Sequence, residues 1–243
     1  MRIALLGYGR TGREVERIAI ERGHHVVLRC TSAQPLHDAT VDFDVAIDFS
    51  LPHLVFGHVA YCLDRSKPMV IGTTGWHDKI PALKELAAQT SASIVYGSNF
   101  SVGMHVVRDL VGTLAKHVDD IEDYDIAIQE VHHSMKLDAP GGTALTLAQI
   151  ILDNVNRKTS VQSDTNGGIA PQALSVAALR VGSVPGTHTV VADSADDTIE
   201  VIHRAKNRQG FARGAVRAAE WIACNPGCHD VSDVFHHIVS FRA

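Results

Sequence analysis

Short apolar runs recur along the first hundred residues, each ending in glycine or small polar residues. "RIALL", "HHVVLRC", "FDVAIDFS", "PMVIGTTG" and "SIVYGSNFS" read as strands of a largely buried parallel sheet. After the first run, "REVERIAIERG" places Val15, Ile18 and Ala19 on one helical face, with Gly23 as the stop. The pattern changes after about Val102. "VGMHVVRDLVGTLAKHV" predicts a helix, "IEDYDIAIQEVHH" alternates like a half-exposed strand, and "GTALTLAQIILDNVN" predicts another helix. A polar loop, "RKTSVQSDTNGG", separates these from three strand-like runs, "ALSVAALRVGSV", "GTHTVVADS" and "DTIEVIHRA". Their Gly-Ser, Pro-Gly and Asp-Asp turns suit an antiparallel or mixed sheet, and "GFARGAVRAAEWIACN" returns to helix. The fold class is α/β: a parallel-sheet domain followed by a second, α+β domain on its own sheet.

The turn after the first strand gives that reading chemical content. "GYGRTG" has Gly7, Gly9 and Gly12 in G-x-G-x-x-G spacing, between a predicted strand and a predicted helix. Gly7 permits a tight turn, Gly9 lets backbone approach a pyrophosphate, and Gly12 lets helix pack on strand. The helix start adds bare N–H groups and a positive dipole end. A dinucleotide is therefore the expected ligand of this loop, which includes Tyr8, Arg10 and Thr11. The acidic residue that binds ribose hydroxyls about 20 residues further on is absent, and Thr31 and Ser32 stand there instead, after Arg29. Hydroxyls and arginine suit a 2′-phosphate, which tilts the expectation toward NADPH. Ligands of open α/β sheets bind at the carboxyl ends of the strands, which adds Thr73, Thr74 and the Gly97–Phe100 turn, with Ser98 and Asn99, as candidates.

Composition narrows the rest. At 243 residues and 45% hydrophobic the chain can bury two modest cores, and a net charge of −5 without charge blocks points away from nucleic acid and acidic membranes. No apolar run approaches the roughly 20 residues of a membrane span, and the first apolar run breaks at Gly7, too early for a secretory signal. A cytoplasmic protein is expected. Cys30, Cys62, Cys224 and Cys228 form no zinc pattern and are expected reduced, in packing or loop roles. Fifteen histidines invite a metal reading, but no His-Glu-x-x-His occurs, and adjacent histidines on a strand face opposite ways, so no metal is expected.

The densest chemistry lies in "EVHHSMKLDAPGGTAL", from Glu130 to Leu145. His132 and His133 end an alternating strand, and histidine exchanges protons near neutrality. Lys136 offers a cation to a carboxylate, and Gly141, Gly142 and Thr143 open a helix whose N–H groups and hydroxyl suit an anion. His188 in "GTHTV" is expected to pack in the sheet. A small anion that accepts a hydride and a proton would use this set.

These stretches resemble the dihydrodipicolinate reductase family, formally 4-hydroxy-tetrahydrodipicolinate reductases. The likeness spans nearly the whole chain and is strongest in the family signature E-x-H-H-x-x-K-x-D-A-P-S-G-T-A. It implies a Rossmann-type domain over residues 1–103 and 212–243, and a substrate-binding and oligomerisation domain over 104–211. It implies His132 as catalytic acid, Lys136 as second proton donor, and His133, Gly142 and Thr143 as binders of a dicarboxylate substrate. NADPH, with NADH possible, would be held by Gly7 to Gly12, by Gly72, Thr73 and Thr74, and by Gly97 to Phe100. The family's homotetramer is expected too. Three departures stand out: a glycine loop one residue short, Thr31 for an acidic residue, and Gly141 for the signature serine. The competing readings are a related dehydrogenase of another small amino or imino acid, and a nucleotide sensor without chemistry; neither needs the His-His-Lys set.

Overall fold

A computed structural model describes residues 1–164, 166–207 and 209–240. In chain order the elements are β1 (Arg2–Leu6), α1 (Arg10–Glu21), β2 (His25–Cys30), β3 (Val45–Asp48), α2 (Val55–Asp64), β4 (Met69–Ile71), α3 (Ile80–Ala88) and β5 (Ser93–Tyr96). There follow α4 (Val102–Asp120), β6 (Asp125–His132), α5 (Gly142–Asn154), β7 (Ser160–Gln162), β8 (Ala173–Arg180), β9 (Thr187–Asp193) and β10 (Thr198–Arg204). The chain closes with α6 (Gln209–Ile222), β11 (Gly227–Asp230) and α7 (Val231–Ser240). Contacts divide it into two units, residues 1–102 with 208–243, and residues 103–207.

The first unit carries a six-stranded parallel sheet in the order β11-β5-β4-β3-β1-β2. Alternation on each strand feeds two cores. Ile3, Leu5, Val45, Ile47, Val70 and Val95 face α1, α6 and α7, whereas Ala4, Leu6, Ala46, Met69, Ile71 and Ile94 face α2 and α3. Both faces are dry, which is why these strands read as continuous apolar runs. The order reverses direction between β1 and β3, so the turns after these two strands flank the switch point where such sheets bind ligands.

The second unit holds a mixed sheet, β10-β9-β6-β8-β7. The central strand β6 runs antiparallel to β9 and parallel to β8. Helices α4 and α5 cover one face through Val111, Ala115, Leu147 and Ile151, packed on Ile126, Ile128, Val176 and Val190. No described helix is long and apolar enough to cross a membrane.

Several elements depart from the sequence reading. The expected polar loop contains β7, which pairs with β8 from Ser160↔Ala173 to Gln162↔Ser175; its polar residues suit a sheet edge. Cys228, expected in a packing or loop role, lies in β11, a strand with little β-forming character that pairs along β5. Helices α2 and α3 fill the crossovers that parallel pairing requires.

Close packing at α6 is the most demanding contact in the first unit. A Cβ on Gly214 would lie 1.7 Å from the Phe100 carbonyl oxygen and 3.0 Å from the Phe235 ring. Gly214→Ala is therefore expected to lower the unfolding free energy by about 3 kcal/mol, the upper range for overpacking, as read by urea denaturation.

Candidate active site

The glycine turn takes the shape its sequence requires. Gly7 has φ +94°, and a Cβ there would lie 2.4 Å from the Phe49 carbonyl oxygen, so a side chain is excluded on both counts. A Cβ on Gly12 would meet the Gly7 carbonyl at 2.3 Å, whereas one on Gly9 would meet nothing within 4 Å. Gly9 is also the N-cap of α1 and supplies no side-chain cap. The helix start therefore keeps amide donors for an anion. Beside it lies a cavity of about 850 Å³, lined by Gly7, Tyr8 and Gly9, by Thr31 and Ser32 after β2, and by Phe49 and Ser50 after β3. This open backbone, helix start and roomy cavity fit a dinucleotide.

Other candidates in this unit serve the frame. Thr73 is buried; its hydroxyl donates to Asp48 Oδ1 at 2.8 Å and accepts from the Ser50 amide at 2.9 Å. Asp48, with no exposed surface, also pairs with His58 Nδ1 at 2.7 Å, so these groups fix the turns after β3 and β4. A Cβ on Gly72 would strike the Phe49 ring at 2.3 Å, and one on Gly97 would strike Val231 at 2.2 Å. Phe100 packs edge-on against Phe49 and Phe235 in the core, leaving its backbone as the group that could meet a ligand. Thr74 and Ser98 are exposed, and Thr11 and Asn99 half-buried. The expected arginine contact needs correction. Arg29 donates to Glu16, which also accepts from the Tyr8 hydroxyl, and this attraction holds the Glu16 carboxyl below its usual range. Neither Arg29 nor the exposed Arg10 lines the cavity; His37 and His53 are basic side chains that do.

In the second unit the chemistry gathers around Glu130, a residue given no role from sequence. Residues i and i+2 of a strand share a face, so Glu130 follows Ile126 and Ile128 inward and has His132 beyond it. It has no exposed surface. Its Oε1 accepts from the Gly141 amide at 2.9 Å and from Arg180 Nη2 at 2.6 Å. Its Oε2 has no hydrogen-bond partner among the described residues; it lies 3.9 Å from His132 Nε2 and 3.6 Å from His188 Nε2. His188, expected to pack in the sheet, is thus brought to the site, its ring 5.4 Å from that of His132.

The loop after β6 completes the group. The Lys136 amide donates to the His133 carbonyl, and its ammonium donates to Asp138. A Cβ on Gly141 would lie 3.0 Å from Lys136 Nζ, so the lysine folds back over the start of α5 where a serine would crowd it. Gly186, at φ +151°, leaves room for His132: a Cβ there would lie 2.8 Å from the ring. Gly142 is exposed and Thr143 half-buried on the first turn of α5. His133 lies across from His132, with ring centroids 6.4 Å apart. Arg208 lies outside the described residues.

Burial pushes the His132 pKa down, and Lys136 and Arg180 add to this, while Glu130 opposes it. Burial pushes His188 further, to about 4, with His132 adding repulsion. Glu130, His132 and His188 offer ligand atoms within 4.8 Å of one another, a grouping across strands rather than an adjacent pair. Arg180 on the same carboxylate and Lys136 near His132 set two cations against an added metal ion.

The family profile described as dihydrodipicolinate reductase, N-terminus, matches residues 1–100, and that for the C-terminus matches residues 103–235. The chain belongs to the dihydrodipicolinate reductase family. It is 42% identical over 235 residues to a 4-hydroxy-tetrahydrodipicolinate reductase of Christiangramia forsetii, covering 96% of this chain and 97% of that one. A reductase of the same name from Pseudomonas fluorescens is 39% identical over 207 residues, covering 82% and 75%. The fold is similar to a dipicolinate-bound dihydrodipicolinate reductase of Paenisporosarcina sp., with TM-score 0.77, 21% identity, and 96% and 99% coverage. The chain is thus an oxidoreductase of the lysine and diaminopimelate route.

The depressed His188 pKa has a consequence for stability. Below pH 6.5 the unfolded chain binds a proton that the folded chain refuses until about pH 4. Stability is therefore expected to fall by about 3 kcal/mol across that window on this account, at 1.36 kcal/mol per unit. Denaturation at stepped pH should show this fall, and His188→Gln should reduce it.

Proposed function

We propose that this chain reduces 4-hydroxy-tetrahydrodipicolinate with His132 as acid and Lys136 as second proton donor, and that it prefers NADPH. The observation that carries the reading is the convergence of His132, Lys136 and the start of α5 on one buried carboxylate, Glu130. One substrate carboxylate meets the amides of Gly142 and Thr143 at the positive end of α5, and His133 takes the other side of the anion. The substrate loses its hydroxyl as water and becomes a conjugated C=C–C=N system. NADPH, when bound, supplies the hydride that this system accepts. Addition leaves an enamide anion, whose neighbouring ring carbon takes one proton from His132 to give the cyclic imine product. Two substrate carboxylates beside the ring favour its protonated form and so counter the burial that disfavours it.

For the cofactor, Thr31 and Ser32 lie in the cavity wall, where a carboxylate would repel a 2′-phosphate. His37 and His53 replace Arg29 as the basic partners of that phosphate. Exposed Leu179, Val181 and Ile199 on or beside the second sheet support assembly of copies into a homotetramer through this unit. Four unpaired cysteines fit a cytoplasmic enzyme.

The test mixes the protein with aspartate semialdehyde, pyruvate and their condensing synthase, and follows loss of reduced-cofactor absorbance. Synthase-dependent loss, faster with NADPH than with NADH, is expected; no loss with either overturns the substrate. His132→Gln should lower kcat by about 10²- to 10⁴-fold while leaving NADPH binding intact. Thr31→Asp should reverse the cofactor preference, raising KM for NADPH more than for NADH.

A further inference from the structure

We propose that Glu130 is a positioning residue for proton transfer at His132: one of its oxygens pins the turn that opens α5, and the other faces two imidazoles. The inference rests on the reading of His132 as the acid. Glu130 is wholly buried, so it acts through its neighbours rather than by touching substrate.

The two oxygens do different work. Oε1 accepts from Gly141 and from Arg180, and Arg180 Nη2 also donates to the Asp138 carbonyl at 2.5 Å. Both ends of the Asp138–Gly141 turn, which follows Lys136, are thereby tied to one carboxylate: the Gly141 end directly, and the Asp138 end through the guanidinium. Among the described residues Oε2 is left without a hydrogen bond, 3.9 Å from His132 Nε2 and 3.6 Å from His188 Nε2. A buried carboxylate oxygen without a partner is costly, and a proton on either ring would turn that cost into a charge-assisted contact. The clamp on Oε1 keeps the carboxylate from rotating to meet other donors, so its charge stays directed at the rings.

The groups facing His132 act with different signs. On its own strand and loop stand Glu130, His133 and Lys136, from β8 Arg180, and from β9 His188; His203 on β10 stands behind His188. Among these Glu130 alone raises the proton affinity of His132, and Lys136, Arg180 and His133 lower it. Removing Glu130 or Arg180 must then move His132 in opposite directions, an outcome that general loosening of the fold would not give.

The experiment titrates His132 by nitrogen-15 NMR in the full-length chain, in wild type, Glu130→Gln and Arg180→Gln, alongside the pH dependence of kcat/KM. Glu130→Gln should move the His132 titration down by about one pH unit, and Arg180→Gln should move it up. The falling limb of kcat/KM should follow each shift. A Glu130→Gln protein that unfolds at the wild-type temperature and keeps the wild-type titration overturns the proposal. If Glu130→Gln does not fold, Arg180→Gln decides: an upward shift supports the proposal, and none or a downward one overturns it. Shifts seen by NMR without movement of the kinetic limb would support the placement of Glu130 and overturn His132 as the acid.

Discussion

A charge with no exposed surface must be compensated where it stands, and Glu130 imposes that condition on the second unit. Its compensation comes from two other parts of the chain, the amide of Gly141 and the guanidinium of Arg180. Sheet register delivers these groups. His132 lies opposite Arg180 across the parallel pair, and Glu130 lies opposite His188 across the antiparallel pair. A slip of one residue on either side of β6 would turn these side chains to the other face and leave the carboxylate alone. Burial of this acid therefore selects the register, and the register gathers His132, Arg180 and His188 around it.

The first unit divides its labour differently. Its sheet is a frame with two dry faces, and its chemistry sits in the turns where strands end. Polar side chains there mostly bind one another: Asp48 holds Thr73, Ser50 and His58, and Glu16 holds Tyr8 and Arg29. What remains for a ligand includes backbone at Gly7 and Gly9, the hydroxyls of Thr31, Ser32 and Ser50, and the rings of His37 and His53. Such a surface recognises a phosphate-bearing molecule through pre-set amides, with little side-chain ordering at the moment of binding.

Much of this was legible in one dimension. The strands of the first sheet announced themselves as apolar runs, and the glycine spacing predicted a turn whose close contacts are present. His132, Lys136 and the helix start were legible because they fall within one short segment. Arg180 and His188 were not, since only strand pairing brings them to Glu130 over separations of 50 and 58 residues. The buried acid itself could have been found: a glutamate continuing the inward series of Ile126 and Ile128 contradicts the apolar pattern. Arg29 misled for the opposite reason. Its position beside Thr31 is local, but its partner, Glu16, is a helix away.

The interruption of the first unit by the second has a consequence for how the chain matures. The core face built from Ile3, Val15, Val45 and Val70 is closed by Ala212, Ala215, Val216 and Phe235, from the far end of the chain. During synthesis the inserted unit, residues 103–207, emerges complete while that apolar face still lacks its cover. The nascent first half must therefore wait with a sticky surface exposed, a state prone to association and a natural client for chaperones. The order of emergence from the ribosome thus runs against the order of the finished architecture: the middle of the chain is free to settle first, and its beginning last.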